Sequence, residues 1–357
     1  MELFDHFFEQ KIKIDTFYPR KLQLPTNGSF LLYGARGVGK SALIIDYLKF
    51  TKKRYLYIDA DDPVFLFDDI DSDNLNLFIK TEEIELVVID HYFKGFLRDF
   101  PKVEQLILVS RDKDVIKGLP KYQLLPLDYE EFLGFDRFLT PQSAFNHFLR
   151  LGTLPKIAKG SIYELSLNLK ELFLEKFDSL DSRLLLTLAK FHSRRVSTYQ
   201  IYTTAREYFK ISKDWTYKRV KEFEEEGVIY FFEEALLKGA KKMVIYDFAL
   251  VKYLNKSVTF NQIFDSTISL ALIKHKFEFA SFGNLGYIIF DRKRVIIPAA
   301  FETKEQLQNK ISKLIKELKE FKVRSVAIVT ISNRYSFKLD GISFEAIPFY
   351  EWTVLNE

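Results

Sequence analysis

Gly34, Gly39, Lys40 and Ser41 stand in the run "GARGVGKS", with the spacing G-x-x-x-x-G-K-S. Residue types in this pattern suit one chemistry, the holding of a phosphate chain. Glycines let the backbone curl so that successive N–H groups point at one anion. A helix starting directly afterwards adds positive potential. Lys40 would bridge the outer phosphates, and the Ser41 hydroxyl would ligate Mg²⁺. The expected cradle is Gly34, Ala35, Arg36, Gly37, Val38, Gly39, Lys40, Ser41 and Ala42. An ordinary glycine-rich turn is the alternative; the complete motif, with an apolar run before it and the helical "SALIIDYLKF" after it, weighs against that.

A second requirement is a carboxylate that reaches the metal shell. The run "IELVVID" ends in Asp90, which fits that role, although a strand-end Asp can also cap a helix. The run "RYLYID" lies between the loop and Asp90, as in the NTPase division that has an extra strand between the two motifs. In that division a glutamate usually follows the aspartate and polarises the attacking water. Here His91 follows. A neutral imidazole can accept a proton, so His91 is itself a candidate. The segment "YIDADDP" offers Asp59, Asp61 and Asp62, of which Asp61 and Asp62 are the candidate replacements; a simple turn is the alternative. Ser110, at the end of "LILVS", stands where a sensor of the γ-phosphate is expected. With Lys40, Asp61, Asp62 and His91 it completes the candidate catalytic set. No arginine finger is marked; Arg98, Arg137 and Arg150 are the alternatives.

These side chains need a scaffold. Four apolar, β-rich runs, "SFLLY", "RYLYID", "IELVVID" and "QLILVS", alternate with helical or polar stretches in the first third of the chain. Such runs read as parallel strands buried on both faces of an α/β sheet, whose ligand sites lie at the strand C-termini. Helical spacing takes over from about Glu130. "SRLLLTLAKFH", "STYQIYTTAREYF" and "SKDWTYKRVKEFEEEG", followed by "VIYFFEEALLKGAKKMVIYD", resemble a winged helix-turn-helix with a hairpin wing. A second α/β pattern has strands at "GYIIFD", "RVIIPAAF" and "SVAIVTIS". Before the last of these, "ETKEQLQNKISKLIKELKEFK" places Leu307, Ile311, Leu314, Ile315 and Leu318 on one helical face. The expected division is a nucleotide-binding core over 1–135, a helical lid over 136–178, a winged helix over 179–256 and an α/β domain over 257–357.

Composition sets outer limits. The 357 residues are 47 % hydrophobic, 29 % charged and 16 % aromatic, which suits a folded chain of two or three domains. The net charge of +4 permits nucleic-acid binding without implying it. The absence of cysteine excludes disulfides, zinc–thiolate sites and cysteine nucleophiles. No window approaches the roughly 18 apolar residues of a membrane span, and the N-terminus lacks a targeting pattern. A cytoplasmic protein with no membrane partner is the expectation.

With these motifs in order, the chain resembles prokaryotic P-loop ATPases of the archaeal-ATPase group, among the AAA-like and STAND-like NTPases. "YIDADDP" is similar to that family's acidic-Pro segment after a strand. "LLPLDYEEFLGF" looks like its stretch after sensor 1. "FLRLGTLPKI" looks like its "GG-PE" lid segment, with Thr153 at the second glycine, and "VIYDFAL" resembles its "YF-D-GL" segment. The resemblance implies a Walker A loop at Gly34–Ser41, a Walker B aspartate at Asp90, and ATP with Mg²⁺ as cofactors. It also implies a P-loop parallel sheet with a lid, then a winged helix and a restriction-endonuclease-like C-terminal domain. ATP over GTP rests on the resemblance, since no N-K-x-D motif is present. In the C-terminal domain Asp265 could match the first nuclease acid. Tyr287 stands where a second carboxylate belongs, and Ala299 or Ala300 where a lysine belongs, with Glu302 and Lys304 just beyond. An inactive nuclease-like domain is expected.

The favoured expectation is a slow Mg²⁺-dependent ATPase acting as a nucleotide switch. The alternative is a DNA-binding winged-helix protein whose nucleotide site is structural and does not hydrolyse. Lys213, Lys218, Arg219 and Lys221, with Trp215 and Tyr217, are the candidate DNA contacts, opposed by Glu222, Glu224, Glu225 and Glu226. A protein partner is allowed for but not identified.

Overall fold

A computed structural model describes residues 2–10, 17–135, 140–237 and 239–355. Arg137 and the first residues of the expected lid, 136–139, lie outside these, as does Lys238 in the expected wing. The chain divides into two compact units, Met1–Pro126 with Glu225–Gly227, and Leu127–Glu224 with Val228–Glu357.

The first unit is built on a five-stranded parallel sheet. Its strands are β1 (Phe30–Tyr33), β2 (Tyr55–Asp59), β3 (Leu86–Asp90), β4 (Gln105–Ser110) and β5 (Lys121–Gln123), in the spatial order β2-β3-β4-β1-β5. Every residue of β3 and β4 is buried, which is why these strands read as unbroken apolar runs. The strand between β1 and β3 in space is β4, while β2 lies at the edge. Register places the functional strand ends together: Tyr33 pairs with Ser110, and Asp59 with Asp90. The helix Glu2–Glu9 carries Phe4 and Phe7 into the core that holds Leu56, Ile58 and Phe78. The Phe4 and Phe78 rings lie 5.6 Å apart.

The second unit opens with helices Tyr129–Leu133, Pro141–Leu151, Pro155–Ala158 and Leu165–Lys176. Two of the resemblance segments meet here. Thr153 donates to the buried Asp247 carboxylate from its N–H (2.5 Å) and its hydroxyl (2.9 Å). Gly152 has φ +81°, and a Cβ there would come within 2.3 Å of Asp247 Oδ2. The Thr153 hydroxyl thus adds a hydrogen bond to this junction that a glycine could not make.

Helices Ser179–Ala189, Thr198–Arg206 and Lys213–Glu226 follow, with β6 (Arg194–Val196), β7 (Ile229–Phe232) and β8 (Lys241–Ile245) forming an antiparallel sheet ordered β6-β8-β7. This is the element order expected of a winged helix-turn-helix, with β7 and β8 paired antiparallel where the wing is expected. After helix Phe260–Lys274 comes a six-stranded mixed sheet. It comprises β9 (Phe279–Phe282), β10 (Gly286–Ile289), β11 (Arg294–Pro298), β12 (Ser325–Thr330), β13 (Tyr335–Leu339) and β14 (Ile342–Pro348), ordered β13-β14-β12-β11-β10-β9. The long amphipathic segment between β11 and β12 forms two helices, Lys304–Ser312 and Ile315–Glu320. Leu307, Ile311 and Leu318 are fully buried, while Leu314 and Ile315 pack at the core's margin.

Candidate nucleotide site

The loop after β1 has the backbone of a phosphate cradle. Gly34, Gly37 and Gly39 adopt φ of +153°, +80° and +95°. A Cβ on Gly34 would come within 2.3 Å of the Leu124 carbonyl oxygen, so no larger residue fits there. The helix Lys40–Phe50 begins directly after Gly39. Ala35, Arg36 and Val38 are buried, and Ser41 and Ala42 are half-buried in the first helical turn. The Lys40 ammonium donates to the Gly34 (2.8 Å) and Ala35 (3.0 Å) carbonyls, spanning the loop. Arg36 Nε lies 3.5 Å from the Glu226 carboxylate, so its charge is already answered by an acid.

Arg20, which the sequence did not mark, braces the loop from behind. Its buried guanidinium donates to the Val38 carbonyl (2.7 Å) and the Leu125 carbonyl (2.6 Å). The three anchors are far apart in sequence, and no local pattern announces such a brace.

At the ends of β2 and β3, five ionisable groups converge: Asp90, Tyr57, His91, Asp59 and Asp61. Asp90 is fully buried. Its Oδ1 accepts the His91 N–H (2.8 Å), and its Oδ2 accepts the Tyr57 hydroxyl (2.6 Å). Burial and the adjoining carboxylate push Tyr57 up, so it remains a neutral donor. His91 takes φ +54°, a conformation uncommon outside glycine. That turn brings Nδ1 to 2.7 Å from Asp59 Oδ1, 3.7 Å from Asp61 Oδ2 and 4.0 Å from Asp90 Oδ1. The hydrogen bond to Asp59, and then the charges of Asp90, Asp59 and Asp61, raise the His91 pKa against the opposing effect of burial. Asp59 is thus the carboxylate nearest the imidazole. Asp62 instead caps the 3₁₀ helix Pro63–Leu66, accepting the Val64 N–H at 2.9 Å. Ser110 is buried and donates to the Tyr92 carbonyl (2.7 Å), in the segment just past the end of β3.

The cradle fits a triphosphate. Its glycines have the required backbone, a lysine ammonium spans the loop, and the Ser41 hydroxyl and the Asp90 carboxylate are the groups that would serve the metal. The fit depends on the nucleotide's own oxygens, because among the described residues no three His, Asp or Glu side chains are grouped to hold a metal ion unaided. No helix among the described residues is long and apolar enough to cross a membrane.

No protein-family model matches the chain, and no curated protein matches it. Among solved structures, the chain is similar to a Walker-type ATPase of Pyrococcus abyssi at 14 % identity, covering 63 % of this chain and 90 % of that one, with a TM-score of 0.42. It is similar to a signal transduction ATPase with numerous domains from Pyrococcus horikoshii, which carries a tetratricopeptide repeat sensor. That match has 13 % identity, coverage of 88 % and 51 %, and a TM-score of 0.32. A third likeness is to the Aeropyrum pernix ORC1 protein in complex with DNA, at 12 % identity, coverage of 64 % and 87 %, and a TM-score of 0.32.

Proposed function

We propose that this chain binds ATP with Mg²⁺ in the Gly34–Ser41 loop and hydrolyses it slowly, as a nucleotide switch. The observation that carries the reading is the placement of the His91–Asp59 pair beside Asp90, at the C-terminal ends of the adjacent strands β2 and β3 of the sheet whose β1 leads into the loop. Lys40 exchanges its two loop carbonyls for phosphate oxygens when the site fills. When bound, magnesium supplies charge neutralisation for the triphosphate, with Ser41 and Asp90 on its side of the site. Asp59 accepts the Nδ1 proton of a neutral His91 and fixes that tautomer. Nε2 is then left as the acceptor for the proton of an attacking water. An imidazole in place of a glutamate is a weaker arrangement at neutral pH, because Asp59 favours the protonated, inactive form. Slow turnover follows. Asp61 stands further from the imidazole and tunes it by charge.

The switch reading draws on chain continuity. Leu124, whose carbonyl abuts Gly34, and Leu125, whose carbonyl is held by Arg20, immediately precede Pro126, where the first unit ends. A change in the loop is therefore felt where the chain leaves this unit.

His91→Ala tests the reading. ATP affinity should stay close to wild type while turnover falls by about a hundredfold, in line with loss of a general base. Unchanged turnover would remove His91 from the chemistry. The second reading, a DNA-binding protein with a silent nucleotide site, is favoured by one observation, the absence of a glutamate after Asp90. Arg219 is not available to it, being held by Asp181 (2.5 and 2.6 Å) and Glu222 (2.7 Å). Lys213, 5.9 Å from the Tyr199 ring centroid and 5.5 Å from that of Tyr217, is the better placed cation. A steep fall of DNA affinity with salt, lessened by Lys213→Ala, would support that reading.

A further inference from the structure

The second unit contains a cavity of about 460 Å³ that the nucleotide site does not use. Its lining includes Ser193, Arg194, Lys242, Asp265, Glu302 and Lys310. Asp265 is fully engaged there. Its Oδ1 accepts the Lys242 ammonium (2.7 Å), and its Oδ2 accepts the hydroxyls of Tyr287 (2.9 Å) and Ser193. The ammonium also lies 4.5 Å from the centroid of the Tyr287 ring. Three donors from three elements thus occupy the one carboxylate that could have begun a metal centre. Tyr287, Ala299 and Ala300 are buried and offer no second acid or lysine.

The remaining lining charges are uneven. Arg195 is bonded to Glu234. Arg194 and Lys310 have no carboxylate partner within 4 Å among the described residues. Both are donor-only groups, so a ligand that answers them must bring acceptor oxygens and negative charge. Among the described residues Glu302 has no cation partner, and its charge disfavours a second phosphate while accepting from hydroxyl groups. The amides of Asn261 and Asn284 make no hydrogen bond among the described residues and can read polar edges. The volume falls within the range of about 300–1,000 Å³ typical of small-molecule sites.

We propose that this cavity binds a single phosphate borne on a nucleoside, without a divalent metal. Arg194 and Lys310 take the phosphate; Glu302 and the two asparagine amides face the sugar and base. The phosphate could belong to a free nucleoside monophosphate or to the 5′ end of a strand, and the two are separable by experiment. The full-length Lys40→Ala protein, which silences the first site, is titrated calorimetrically in EDTA. The probes are inorganic phosphate, a nucleoside monophosphate, and a short oligonucleotide with either a 5′-phosphate or a 5′-hydroxyl. The monophosphate or the 5′-phosphorylated strand should bind more tightly than inorganic phosphate, and Arg194→Gln with Lys310→Gln should weaken that binding roughly tenfold or more. Preference for the monophosphate identifies the free nucleotide; preference for the phosphorylated over the hydroxyl strand identifies a strand end. The proposal is overturned if none of the phosphate probes binds, if the nucleoside part adds nothing to inorganic phosphate, or if the double variant binds as wild type does.

Discussion

Tyr57 shows how much of the site depends on a residue that carries no motif. Its hydroxyl holds one oxygen of a carboxylate that is wholly excluded from water. Tyr57→Phe leaves that oxygen without its donor, and should cost about 1–3 kcal/mol in denaturant unfolding. An unchanged midpoint would mean that Asp90 is not held in this way. The His91–Asp59 pair makes a second prediction. A histidine whose pKa is raised in the folded state contributes stability that is fully present below the unfolded value of about 6.5, and that is lost as pH rises through the folded value. The stability gap between wild type and Asp59→Asn should therefore be wider near pH 5 than near pH 9. Turnover, which needs neutral His91, should rise with pH through the same raised value, and Asp59→Asn should move that limb toward acid. A limb that stays in place would detach Asp59 from the chemistry.

Strands β1 to β4 and the loop were legible in the sequence because burial on both faces writes an apolar run, and because a phosphate cradle tolerates few residue types. The β7–β8 hairpin was equally plain. No such signal marks β5, whose "KYQ" is a short, partly exposed edge. Strands β13 and β14 do alternate in burial, but as single-face strands of a mixed sheet they give a weaker pattern than the core runs. The break at Lys313–Leu314 has no proline or glycine to announce it. Asp59, Asp61 and Asp62 were legible as an acidic turn, yet only the αL turn at His91 decides which of them meets the imidazole. Arg219 read as a candidate DNA contact, and its guanidinium clamps helix Lys213–Glu226 to Asp181 on helix Ser179–Ala189. The sequence pattern of lysines and glutamates around it is the same in either case. Its side chain and that of Asp181 are largely buried. Arg219→Ala strands the Asp181 charge and should destabilise the fold by about 3 kcal/mol in chemical denaturation. Lys213→Ala, on a solvated face, should change stability by less than about 0.5 kcal/mol. Equal effects would contradict the assignment of the two cations.

For the molecule as a whole, the candidate nucleotide loop, the carboxylate cluster and the Pro126 exit lie within one compact unit, which also takes in Glu225–Gly227, and the β6–β8 sheet and the mixed sheet lie within the other. Whether the first unit turns over what it holds is the point on which the account depends. The direct measurement is steady-state ATP hydrolysis with Mg²⁺, taken alongside equilibrium ATP binding, in wild type and Lys40→Ala. Wild type should bind ATP and hydrolyse it slowly, and Lys40→Ala should lose both. ATP binding by wild type with no turnover above that of Lys40→Ala would contradict the account.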